Sequence, residues 1–132
     1  MSQTNAKAFV APVVVVKTVA TATLGNTDVW TPATGKKFRL RGYSIDVTGN
    51  AIQAIAGGTI TVQLLDSAAE IAAVSLFVPL LALVASGTLF SSGFVSLGDG
   101  YLSAVANNVL KVALSVALTG GTVRVNAFGS EE

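Results

Sequence analysis

The stretch Leu110–Phe128, LKVALSVALTGGTVRVNAF, alternates apolar with small or polar residues. Leu110, Val112, Leu114, Val116 and Leu118 occupy one phase, and Lys111, Ala113, Ser115 and Ala117 the other. Successive side chains of a strand point to opposite faces, so this pattern predicts a half-buried β-strand. After Thr119-Gly120-Gly121 the alternation resumes, with Val123, Val125 and Ala127 on one side and Thr122, Arg124, Asn126 and Phe128 on the other. Two alternating runs around a Gly-Gly pair predict a C-terminal hairpin, because glycine tolerates the positive φ of tight hairpin turns.

The same texture extends toward the N-terminus. Ile60, Val62 and Leu64 alternate with Thr59, Thr61 and Gln63 in a strand expected to end at Asp66-Ser67. Phe38 and Leu40 share one phase while Tyr43, Ile45 and Val47 share the other, and Gly42 stands at the switch, where a β-bulge would absorb the extra residue. Turn signals at Gly25-Asn26, Gly49-Asn50, Gly57-Gly58, Gly98-Asp99-Gly100 and Asn107-Asn108 cut the chain into strand-length pieces. A helix of one or two turns is allowed over Ser67–Ala73, with Asp66 as its cap and Glu70 at helical spacing. The expected fold is all-β: a single-domain β-sandwich or jelly roll of about eight strands. An N-terminal arm and first strand occupy residues 1–16, and the sandwich domain residues 17–132.

Composition limits what such a domain does. The chain has 132 residues, 52% hydrophobic and 11% charged, with 8 basic against 7 acidic side chains and 13 glycines. Area scaling gives a folded surface of about 6,400 Å², or about 430 Å² for each charge. So few charges leave apolar surface in contact with water on a lone monomer, which argues for cover by other subunits or a larger assembly. The net charge of +1 provides no long-range attraction to nucleic acid or an acidic membrane. Without cysteine there is neither a disulfide framework nor a thiolate site, as suits a protein made in a reducing cytosol.

Two apolar runs bear on export and membrane insertion. Ala8–Val16 followed by Ala20-Thr21-Ala22 has the outline of a signal peptide, but Pro12 interrupts the run and Lys17 falls before the supposed cleavage site. Its β-branched end, Val13–Val16, reads as a strand. Ile71–Ala85 contains Ser75 and Pro79 and is shorter than the roughly 20 apolar residues of a spanning helix, so it reads as buried strand and turn.

No histidine is present, which removes the commonest general base and the Ser/His/Asp and Cys/His mechanisms. Carboxylate pairs could serve a hydrolase, yet Asp28, Asp66 and Asp99 stand at turn signals, and Asp46, between Ile45 and Val47, reads as a solvent-facing strand residue. No phosphate loop, calcium loop or metal-ligand spacing occurs, and no cofactor is expected. The one charge cluster is Lys36-Lys37-Phe38-Arg39-Leu40-Arg41. In a strand, Lys37, Arg39 and Arg41 form a basic stripe opposite Phe38 and Leu40. That stripe suits an acidic partner, or a solvated strand face whose lysines discourage edge pairing. Trp30 is either an interface anchor or a residue packed where two sheets meet.

The segments Leu24-Gly25-Asn26-Thr27-Asp28-Val29-Trp30-Thr31-Pro32 and Gly35-Lys36-Lys37-Phe38-Arg39-Leu40-Arg41-Gly42-Tyr43 resemble the opening of small jelly-roll decoration, or cement, proteins of tailed-phage capsids. The rest of the chain is similar to them in size and glycine-rich β texture. The resemblance implies a non-enzymatic virion protein, made in the host cytoplasm, that sits on the capsid surface as a homotrimer and braces major capsid subunits. Its candidate partner-binding residues are then Phe9, Val13, Val15, Trp30, Lys37, Arg39 and Arg41, with neither nucleic acid nor membrane as partner. The alternative from a different class is a carbohydrate-binding or adhesion module of a phage tail or cell surface.

Overall fold

A computed structural model describes residues 14–49, 58–78, 87–118 and 120–132. The period-two segments become β1 (Val15–Thr21), β2 (Gly25–Trp30), β3 (Phe38–Gly49), β4 (Gly58–Asp66), β5 (Ala69–Val78), β6 (Gly87–Ser91), β7 (Val95–Leu102), β8 (Leu110–Leu114) and β9 (Gly121–Glu131). All pairings are antiparallel. One sheet has the order β1-β9-β3-β6, with β7 also on β3; the other has the order β2-β8-β4-β5. β6 and β7 follow one another along the same edge of β3, β6 against Asp46–Gly49 and β7 against Arg39–Tyr43. Taken as one interrupted strand, they complete two four-stranded rows with the winding of a jelly roll. β1 spans the expected boundary at residue 16 and pairs along its length with β9.

The two sheets meet through the apolar phase of their strands. Phe38, Leu40, Ile45, Val47, Val123, Val125 and Ala127 from the five-stranded sheet face Ile60, Val62, Leu64, Leu110, Val112 and Leu114 from the other. All thirteen are buried. β3 keeps its apolar residues inward along twelve residues because its register shifts between Leu40 and Gly42, the bulge expected at the phase switch. A second shift, between Asp28 and Trp30, brings the consecutive residues Val29 and Trp30 both into the core.

Three expectations are corrected. β8 and β9 do not form a hairpin: they belong to different sheets. The strand ends at Leu114, where Ser115 N–H donates to the Thr61 carbonyl, and Leu118 N–H then donates to the Ala22 carbonyl, so the chain crosses from one sheet to the other. Val116 and Leu118 still touch the core on this crossing, which is why the apolar alternation outruns the strand. The segment Ser67–Ala73 is not helical: Ser67, at φ 57°, and Ala68 turn the β4–β5 hairpin, and β5 begins at Ala69. Asp66 therefore caps no helix.

Ser130, buried on β9, has a hydroxyl without a hydrogen-bond partner. An unsatisfied buried hydroxyl carries a desolvation penalty, so Ser130→Ala is expected to leave stability unchanged or raise it by up to about 1 kcal/mol, as read by urea unfolding.

Candidate functional site: the outer face of the five-stranded sheet

Because β3 and β9 bury one phase in the core, their other phase lies on the outside of the five-stranded sheet, and register fixes it in rows across the strands. Val16, Phe128 and Gly42 form the first row. Phe94 lies against Gly42, where a Cβ would overlap its ring, and meets Phe128 edge-on at 5.3 Å between centroids. Val16 is 56% exposed and Phe94 63%, so this row is an apolar ridge open to solvent. Thr18, Asn126 and Ser44 form the second row and satisfy one another: Thr18 Oγ1 donates to Asn126 Oδ1 at 2.8 Å, and Asn126 Nδ2 donates to Ser44 Oγ at 3.0 Å.

The third row is Ala20, Arg124, Asp46 and Ser91, contributed by β1, β9, β3 and β6. Ser91 Oγ donates to Asp46 Oδ1 at 2.5 Å. Arg124 sits directly across from Asp46 in register, yet among the described residues the only ion pair is Arg39–Glu132. Thr48 and Thr122 make the fourth row. Small and hydroxyl side chains around the charged pair leave an open depression of about 570 Å³, lined by Ala20, Asp46, Thr48, Ser91, Thr122 and Arg124. The lining contains one carboxylate, so the paired acids of a glycosidase are not assembled in it.

The other acids are committed elsewhere. Asp66 is 2% exposed and accepts from four donors: Tyr101 OH and Ala104 N–H on Oδ2, each at 2.8 Å, and Asn108 Nδ2 and Ser103 Oγ on Oδ1, at 2.9 and 3.0 Å. Burial favours the neutral acid, but the donors outweigh it and hold the carboxyl below its ordinary value. Burial and the bond to Asp66 push the Tyr101 hydroxyl above its own. Glu131 Oε1 accepts from Trp30 Nε1 at 3.0 Å, and Glu70 Oε1 from Gln63 Nε2 at 2.7 Å. Asp28 lies within β2, opposite Lys111, instead of at a turn. Among the described residues, no three His, Cys, Asp or Glu side chains cluster to hold a metal ion, and no helix is long and apolar enough to cross a membrane.

The candidate partner residues fare differently. Phe9 and Val13 lie outside the described residues. Val15 pairs with Gly129 in the inward phase and packs against the core, so the outward residue of β1 here is its neighbour Val16. Trp30 is 1% exposed, with its ring 5.6 Å from that of Phe38, and it offers nothing to a partner: the packing reading replaces the anchor reading. Arg39 is engaged inside the chain, donating through Nε and Nη2 to both carboxylate oxygens of Glu132 at 2.8 and 2.9 Å. Those bonds raise the Arg39 pKa and lower that of Glu132. Lys37 and Glu132 exchange both backbone hydrogen bonds, and Arg41 stands exposed at the bulge. The basic stripe is thus partly neutralised by Glu132. Val16, Phe94, Phe128, Asp46 and Arg124, which form the outer face, are not singled out by the sequence as contact residues. The available signal was Phe128, a large ring in the polar phase of its strand.

No family model matches this chain, and none of the curated proteins compared with it does.

Proposed function

We propose that this protein is a non-enzymatic structural component of a phage virion that decorates and stabilises the capsid by binding major capsid protein as an oligomer. The observation that carries this reading is the apolar ridge on the outside of the five-stranded sheet, in which Val16 and Phe94 are exposed and Phe128 is half-buried. Large apolar side chains that adjoin one another on a charge-poor surface are what an assembly contact uses. Three further large apolar residues are exposed, Val14 just before β1, Leu24 in the β1–β2 turn and Val105 in the loop after β7, so several contacts with neighbours can form at once.

The jelly roll hosts virion proteins and lectins alike, so the fold by itself does not choose between them. The glycan reading draws on the polar depression, but the lining includes no aromatic ring on which a sugar could stack. The ridge lies about 14 Å from it along β9, at the rise of a strand.

The test is co-sedimentation with tailed-phage shells stripped of their surface proteins. The protein is expected to pellet with the shells as an oligomer, and Phe94→Asp, which puts a charge into the apolar contact that holds the oligomer together, to weaken that binding at least about tenfold. A protein that leaves the shells bare overturns the proposal.

A further inference from the structure

We infer that the outer face of the five-stranded sheet packs against the same face of a second copy, about a two-fold axis running along the strands between β3 and β9. This rests on the assembly reading above and names the occupant of the face. The charged row carries one carboxylate and one guanidinium side by side, Asp46 and Arg124, at register positions on adjacent strands. A partner that answers both must present a guanidinium opposite the carboxylate and a carboxylate opposite the guanidinium. The chain's own face, turned about that axis, does so: β9 of each copy lies over β3 of the other, setting Arg124 against the partner's Asp46 and Asp46 against the partner's Arg124.

The same operation handles the remaining rows. It sets Phe128 over the partner's Gly42, where Phe94 of the partner already lies, so ridge meets ridge and the rings stack. It sets Asn126 over the partner's Ser44, two groups already satisfied within each chain and indifferent to the contact. The depression around Asp46, lined there by Thr48 and Ser91, gives the incoming Arg124 side chain room to reach the carboxylate. Packed sheets cross at about 30°, and rows about 7 Å from the crossing point are then displaced by less than one strand spacing of 4.8 Å, so the match survives the twist. An isologous face needs this self-complementarity, and few surfaces have it in both charge and apolarity.

The twelve positions in the four rows give about 400 Å² a side, the low end for specific contacts, so the dimer is concentration-dependent and favoured where copies are crowded on a shell.

The experiment uses sedimentation of the full chain from about 10 to about 500 µM, with single charge reversals and their mixture. Wild type is expected to shift from monomer to dimer over this range. Asp46→Arg alone and Arg124→Asp alone each place like charges opposite one another and should weaken dimerisation at least about tenfold. The equimolar mixture of the two variants pairs two arginines with two aspartates and should dimerise within about threefold of wild type. The double variant on one chain, which restores the pattern with its sign reversed, should also dimerise and guards against a folding defect in either single variant. Wild type that stays monomeric throughout, a ring of three, single variants that dimerise like wild type, or a mixture without rescue each overturns the inference. Retained shell binding alongside any of those results removes the two-fold face and leaves the assembly reading standing, whereas bare shells remove the latter.

Discussion

Gly129→Ala is expected to destabilise the domain by at least about 3 kcal/mol, a large part of the 5–15 kcal/mol that holds small domains folded. Gly129 lies in β9 between two paired neighbours, Val15 of β1 and Leu40 of β3, in the phase that faces the core. A Cβ placed there would overlap the carbonyl oxygen of Arg39 and come within 3.1 Å of Trp30 Cη2. A flexible side chain could swing away, but the oxygen belongs to a strand held on both edges, by β9 and by β7, and the ring belongs to a Trp fixed by Phe38 and Glu131. Relief therefore requires breaking the β3–β9 pairing at its bulge. Urea unfolding of Gly129→Ala beside Ser130→Ala makes the comparison internal: the first should lose much of its stability, the second none. A Gly129→Ala protein as stable as wild type would mean that β9 does not run against β3 in this register.

The second large effect centres on Asp66. Asp66→Asn keeps the shape but turns one acceptor oxygen into a donor facing groups that already donate, and is expected to cost about 2–4 kcal/mol. The four bonds tie the loop of residues 103–108 to the end of β4, so amide exchange in that loop should quicken as stability falls. The pH dependence has a definite sign. The folded-state pKa lies below the unfolded value of about 3.9, so the stabilisation is fully present above that value and is lost as pH falls through the folded pKa. Tyr101 acts at the other end: its folded pKa is raised, so its contribution holds below the unfolded value of about 10 and fades as pH climbs through the folded one. Asp66→Asn should remove the Asp66 share of the acid limb. An unchanged acid limb would show that the carboxylate is not charged in its buried position.

Sequence pattern carried the strands whose two faces meet different surroundings. β3 and β4 were legible because one phase is apolar and the other polar, and the bulge in β3 was legible because the phase changes at Gly42. Sheet membership was not legible: Leu110–Leu118 and Val123–Phe128 look like hairpin partners, and only the pairing of β8 with β2 and β4, and of β9 with β1 and β3, shows that the chain crosses over. Asp66 sits at a turn signal and reads as a local cap, since its partners at Tyr101, Ser103, Ala104 and Asn108 are far along the chain. Trp30 reads as either anchor or core until its ring is found between Phe38 and Glu131. The outer face was missed for the same reason: its row of Val16, Phe128 and Phe94 draws on three separate segments, and its charged row on four strands. The shortage of charge was visible in composition, but where it leaves apolar surface bare depends on pairing between strands far apart in sequence.

Hydroxyl-radical footprinting of Phe94 and Phe128, in dilute protein and in the assembled state, tests the contact face most directly. Both rings are expected to be oxidised when the protein is dilute and to be protected several-fold on assembly, with Trp30 and Phe38 unreactive in both states because the core already covers them. Equal oxidation of Phe94 and Phe128 before and after assembly would show that this face remains in water and that the contacts lie elsewhere.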